Sequence, residues 1–192
     1  MDDLKRVLTV KVLETDRLIL RWMSIDDAAF ILGLLNEPSW LHFIGDRGVR
    51  TIEDARDYIF KGPVEMYDRL GFGLYVVELK EGCIPIGICG LVKRDFLDDV
   101  DVGFAFLPKY WRQGYAYESA SAVMTYGREV LGLRRIVAIV ASDNYSSARI
   151  LEKLGLRFEG MVRYPDDGQE VQLFAVEVKQ GVSGEGFATS DV

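Results

Sequence analysis

The passage from Val100 to Val140 constrains the chain most. "VDVGFAFL" is short and rich in β-branched and aromatic residues, and "RRIVAIV" is a continuous apolar run. Between them "YAYESASAVMTYGREVLG" carries Ala116, Ala120, Val123, Met124, Gly127 and Leu131 on one helical face. Two strands joined through a helix of about four turns favour a parallel pairing by a crossover, which a tight hairpin cannot supply. Upstream, "FGLYVVEL" and "IPIGICGLVKR" are set off by the turn signals Glu81-Gly82 and Asp98-Asp99, and with "VDVGFAFL" they read as three antiparallel strands. The sheet is therefore expected to be mixed.

The remaining segments fall around this centre. "LETDRLILRW" alternates through Leu18, Leu20 and Trp22 as one half-buried strand. "SIDDAAFILGLLNEP" offers Ser24 as N-cap, Asp26 and Asp27 in the first turn and Pro38 beyond the end; "TIEDARDYIFKGP" repeats the logic with Thr51 as cap and Gly62-Pro63 as the stop. "DNYSSARILEKLG" is a capped helix ending at Gly155, and "LRFEGMVRY" and "EVQLFAVEV" form a closing pair around Pro165-Asp166-Asp167-Gly168. The expected class is α/β (α+β), with a mixed, mostly antiparallel central sheet of about six to seven strands. Residues 1–182 are expected to form one domain, and the small polar stretch "SGEGFATSDV", 183–192, a disordered tail.

Charge and cysteine usage exclude several functions. A formal net charge of −7, with no Lys/Arg-rich run to offset it locally, argues against a nucleic-acid partner. Cys83 and Cys89, placed in consecutive strand segments, have neither metal-ligand spacing nor a disulfide framework, so no metal is expected and a reducing cytoplasm is. The acidic start "MDDLKRVLTV" lacks a long apolar region, and nothing approaches the ~20 apolar residues of a membrane span.

Gly114 in "WRQGYAYESA" stands where a helix begins, a place glycine needs a reason to occupy. A strand ending near Leu107, a turn through Arg112 and Gln113, and a helix start would aim several backbone N–H groups at one point, a geometry that binds phosphate. The chain lacks both the Lys-Ser/Thr pair of a P-loop and a triple-glycine dinucleotide fingerprint. A tight packing turn is the alternative.

"GFAFLPKYWRQGYAYESA" together with "NYSSARILEKLGL" resembles the GNAT superfamily of acyl-CoA-dependent N-acyltransferases, and most closely its ribosomal-protein N-terminal acetyltransferase-like branch. The resemblance runs from about Glu14 to about Val178 and implies helices on both faces of the sheet. It implies acetyl-CoA, or a related acyl-CoA, with its pyrophosphate on Arg112, Gln113, Gly114, Tyr115 and Ala116. The pantetheine arm would follow the strand edge at Phe104, Phe106 and Leu107, in the splay beside the strand at 135–140, with Asn144 and Ser147 in the same cleft. The chemistry implied is direct attack of a primary amine on the thioester, with no covalent enzyme intermediate. Trp111 stands where the wider family prefers Gln or Arg. Leu151 stands where many members carry a tyrosine acid, which leaves water or Ser147 to protonate the thiolate.

Each candidate residue also has a purely structural reading. Asn144 can cap the helix it begins, and Ser147 is an N3 residue of that helix. Asp101 is either a general base beside the acceptor or an ordinary exposed strand residue. Glu118, in the first turn of the glycine-loop helix, is expected to be structural. His42, Trp22 and Tyr164 are expected to pack. The expected acceptor is an α-amino group of a protein, peptide or amino acid; the alternatives are a polyamine or drug, or a non-catalytic acyl-CoA binder. Monomer and homodimer both stay open.

Overall fold

A computed structural model describes residues 10–165 and 168–177; the acidic start, Asp166-Asp167 and the tail from Ser183 lie outside the described residues. Eight strands form one sheet in the order β1-β2-β3-β4-β5-β6-β8-β7. They are β1 (Lys11–Glu14), β2 (Leu18–Arg21), β3 (Leu74–Leu79), β4 (Ile84–Lys93), β5 (Val100–Phe106), β6 (Arg135–Ala141), β7 (Arg157–Arg163) and β8 (Glu170–Glu177). Every neighbouring pair is antiparallel except β5 and β6, which are parallel as the crossover requires.

The extra strand comes from "LETDRLILRW", which is a hairpin and not one strand. The Thr15 hydroxyl accepts the Leu18 N–H at 3.0 Å while Thr15 N–H donates to Leu18 O at 3.0 Å, closing a turn inside an alternating pattern. Alternation along a sequence cannot reveal such a turn when its residues also fit the period.

Among the described residues six α-helices accompany the sheet: α1 (Ala28–Leu35), α2 (Pro38–Phe43), α3 (Ile52–Ile59), α4 (Glu65–Leu70), α5 (Tyr115–Glu129) and α6 (Tyr145–Lys153). Two differ from the sequence expectation. Pro38 does follow α1, but it also opens α2, because a proline at the first helical position loses no hydrogen bond. Gly62-Pro63 does not stop α3: a π turn over Phe60–Val64 absorbs the proline, and the helix resumes as α4 until Gly71, at φ 76°. Cys83 lies in the exposed turn before β4 and not in a strand, while Cys89 is buried in β4.

The two sheet faces carry different helices. On β4, Leu91 faces α5, whose Gly127 lies so close that an added Cβ would meet Leu91 Cδ1 at 3.2 Å. Ile88 and Val92, on the opposite face by strand alternation, look with Trp40 of α2 and Met66 of α4 into a cavity. Arg21 pins the first helical segment to this frame: its guanidinium, only 11% exposed, pairs with Asp27 and with Glu78 of β3, each at 2.7 Å.

The crowding of β3 against β4 generates a paired prediction. A Cβ on Gly90 would stand 2.0 Å from Gly73 O, a backbone atom that cannot move aside. Gly33, exposed in α1, has nothing within 4 Å of its Cβ position. Urea denaturation should therefore find Gly90→Ala less stable by about 3 kcal/mol and Gly33→Ala more stable by about 0.5–1 kcal/mol.

Candidate functional site

The site begins where β5 and β6 part. Their pairing comprises only Val100 with Ile136 and Asp101 with Val137. In a continuing parallel ladder the next β6 donor on that side, Ile139 N–H, would reach a β5 backbone carbonyl. Here it donates at 3.3 Å to Oδ1 of Asp101, whose other oxygen accepts from Arg94 Nε at 2.6 Å. Asp101 is 1% exposed, so of its two readings the ordinary exposed strand residue does not hold. Burial pushes its carboxyl above the ordinary value, although Arg94 and the Ile139 N–H pull the other way.

Beyond Asp101 the β5 edge is open. Leu107 N–H donates to Ile86 O on the β4 side, so alternation turns the backbone groups of Phe104 and Phe106 toward β6. There the Phe106 carbonyl accepts from Trp111 Nε1 at 2.7 Å. The Phe104 groups and the Phe106 N–H keep no strand partner, which is an edge that an amide-bearing chain can extend. Phe104 lines the cavity, the Phe106 ring is buried in the core at 7%, and Leu107 packs against that core.

Past this edge the chain turns into α5. Arg112 and Gly114 both have left-handed backbones, φ 60° and 86°, and such successive turns gather N–H groups into an anion-binding concavity at a helix start. A non-glycine residue at positive φ is uncommon and marks a constrained turn. The Gln113 side chain closes the turn by donating to Lys109 O at 3.1 Å, and the Arg112 side chain beside it is exposed. Tyr115 and Ala116, half-buried, begin α5 behind it.

The turn is braced by a residue the sequence reading did not single out. Arg17, in the β1–β2 turn, donates to Gln113 O at 2.9 Å and lies over the Tyr115 ring at 4.4 Å. Its guanidinium also grips Glu118 at 2.7 and 2.6 Å, and Glu118 further accepts from the Arg17 N–H at 3.0 Å and the Thr15 hydroxyl at 2.6 Å. Glu118 is thus structural, as expected, and Arg17 holds the Gln113 carbonyl. No local pattern links partners 101 residues apart.

A cavity of about 330 Å³ opens between the parted strands and the α2–α4 segment. Asn144, Ser147 and Leu151 line it from α6, and Arg47, Tyr58, Arg94, Asp101, Tyr164 and Gln169 add further polar lining. Asn144 does cap α6, its Oδ1 accepting the Ser147 N–H at 3.1 Å. That leaves its amide NH₂ and the Ser147 hydroxyl without a protein hydrogen bond among the described residues. Tyr164 lies in this lining, with Arg94 at 6.0 Å from its ring, and is not simply core. Trp22 does pack, stacked on Tyr67 at 4.9 Å. His42 is not packed: it is exposed and its Nε2 meets Asp143 Oδ2 at 2.7 Å, linking α2 to the loop before α6. Among the described residues no cluster of His, Cys, Asp and Glu is arranged to hold a metal, and no helix is long and apolar enough to cross a membrane.

The Glu118 brace has a defined pH signature. Burial opposes its ionisation, but hydrogen bonds from Thr15 and Arg17 outweigh that, and its carboxyl sits below its ordinary value of 4.5. A lowered folded pKa stabilises above the unfolded value and is lost as pH falls through the folded one. Glu118→Gln should therefore be less stable than wild type at pH 7, and the gap should close as denaturation is repeated below pH 4.5.

Similarity to known proteins agrees with this geometry. The acetyltransferase (GNAT) domain model matches residues 17–157. The uncharacterized N-acetyltransferase YoaA of Bacillus subtilis is 34% identical over 154 residues, covering 79% of this chain and 86% of YoaA. The crystal structure of a GNAT-family acetyltransferase from Bacillus anthracis superposes with a TM-score of 0.72 at 27% identity, over 86% of this chain and 97% of that one. RimL, a ribosomal L7/L12 α-N-protein acetyltransferase solved with coenzyme A, shares the fold at TM-score 0.74 and 18% identity, over 88% of this chain and 98% of RimL. With the parted strands, the glycine turn and these relatives in agreement, the chain belongs to the GNAT acetyltransferase family, N-acetyltransferases that use acetyl-CoA as acyl donor.

Proposed function

We propose that this N-acetyltransferase acts on an α-amino group, and that the parted β5–β6 edge and the 112–116 turn together hold acetyl-CoA. The observation that carries the reading is the continuity of the two: the open backbone at Phe104 and Phe106 leads directly to the left-handed turn at Arg112 and Gly114. Both fit the cosubstrate. The turn and the Arg112 side chain offer donors to a pyrophosphate, and the edge offers backbone partners to the amides of a pantetheine arm. A side chain at Gly114 would be strained by its φ of 86° and would meet Arg17 Nη2 at 3.2 Å. RimL, which shares this fold, was solved with coenzyme A, and this supports coenzyme A as the ligand.

In the reaction the neutral amine nitrogen attacks the thioester carbon. A backbone N–H at the open edge would stabilise charge on the carbonyl oxygen, the C–S bond breaks as the N–acyl bond forms, and the amine loses one proton while the thiolate gains one. We assign the amine proton to Asp101, whose raised pKa makes it a better base than an exposed carboxylate and whose oxygens each keep a lone pair. The Ser147 hydroxyl, with the Asn144 amide beside it, serves the departing thiolate where Leu151 leaves no tyrosine.

Proton availability favours the α-amine. With pKa values of about 7.7–8.0 and 10.4, roughly a tenth of a chain-terminal α-amine is neutral at pH 7, against under about a thousandth of a lysine side chain. The test offers both amines on one molecule: free L-lysine and a lysine-containing peptide with an open N-terminus, with the product site read by tandem mass spectrometry. Acetylation should fall on Nα in whichever molecule reacts. A predominance of Nε product would contradict the assignment.

A further inference from the structure

We infer that the acceptor carries a carboxylate close to its reactive amine, as an amino acid does, and that Arg47 seats that carboxylate. The inference rests on the α-amine reading above and adds the substrate class.

It starts from the charges of the cavity. Among the described residues, three formally charged residues line it, Arg47, Arg94 and Asp101. Arg94 and Asp101 neutralise one another at 2.6 Å. Arg47, on the loop between α2 and α3, is exposed and has no ion pair or hydrogen bond among the described residues. The acidic residue beside it in sequence and the two that share its hollow have other partners. Asp46 pairs with Arg50, Asp54 accepts the backbone N–H groups of Arg50 and Thr51 at 2.9 Å each, and Asp57 pairs with Lys61 at 2.7 Å. Among the described residues, the cavity of a chain with net charge −7 thus holds one guanidinium without an ion pair.

That charge selects among amines. A polyamine would bring further positive charge against Arg47. An amino-carboxylate brings a group whose geometry a guanidinium fork can bind through two parallel N–H bonds. Arg47, Tyr58 and Gly62 also line a shallower hollow that continues outward, so an acceptor reaching Arg47 lies at the mouth of the cavity. At about 330 Å³, a cavity that also takes the thioester end of the donor leaves room for a compact head group.

The pairing serves the chemistry as well. A carboxylate beside an amine stabilises its protonated form and so withholds the nucleophile. Drawing the carboxylate onto Arg47 cancels much of that effect and releases the neutral amine beside Asp101.

The test compares kcat/KM for a panel of L-amino acids with that for the matching L-amino acid amides, and with spermidine, at fixed acetyl-CoA. A dipeptide pair beginning with Asp or Asn separates a side-chain carboxylate from an α-carboxylate. Wild type should favour acid over amide, or the Asp dipeptide over the Asn one, by about tenfold or more. The ratio should fall to about one in Arg47→Gln and partly persist in Arg47→Lys, with thermal unfolding confirming that both variants fold. A ratio near one in wild type, a ratio that survives Arg47→Gln, or spermidine as the better acceptor would overturn the inference. Acetylation of α-amines without regard to the carboxylate would overturn it alone and leave the α-amine reading standing. Acetylation confined to side-chain amines, or of no amine in the panel, would overturn both.

Discussion

The hydrogen bond from Ile139 N–H to the Asp101 carboxylate is the point on which the site turns. A parallel pair of strands would ordinarily continue its ladder, because each unmade backbone bond in a buried place costs free energy. Asp101 takes one of those donors onto a side chain and, being buried and charged, must itself be compensated, which Arg94 does from the end of β4. The fork stays open because its floor is chemically satisfied. Above that floor lie the open β5 edge and the cavity, so one carboxylate both holds the strands apart and stands beside the space they create.

The glycine turn depends on a second arrangement of this kind. Arg17 reaches from the far end of the sheet order to fix Gln113 O and Glu118, so the hairpin of β1 and β2 is a brace for α5 and not an ornament at the sheet edge. Trp111 explains its own departure from the family pattern. Where the family prefers a polar side chain, its indole N–H ties the turn back to the end of β5, and under the proposed function the backbone with Arg112 is the donor set for the pyrophosphate.

Much of this was legible in the sequence, and the reasons are local. The crossover between β5 and β6, the helix that begins after Gly114 and the α6 cap at Asn144 each follow from period, turn chemistry and capping over a few residues. What escaped was set by distant partners or by tertiary context. The β1–β2 turn hides within a two-residue alternation, and the Gly62-Pro63 stop is overridden by packing of the π turn. The burial of Asp101, the Arg17–Glu118 pair and the link from His42 to Asp143 each join residues far apart in the chain. Arg47 shows the limit in another form: its significance lies in the partners its neighbours have already taken, which only the folded arrangement displays.

The central claim is that the open edge at Phe104 and Phe106 and the turn from Arg112 to Ala116 form one binding track for the acyl donor. Amide hydrogen exchange with and without saturating coenzyme A tests it most directly, because it reads the backbone groups that the claim assigns to the ligand. The account predicts slowed exchange in the peptides spanning 102–107 and 112–118, with the exposed β7 edge at 157–163 unchanged. Binding with no added protection in those two segments, or with protection confined to β7, would contradict it.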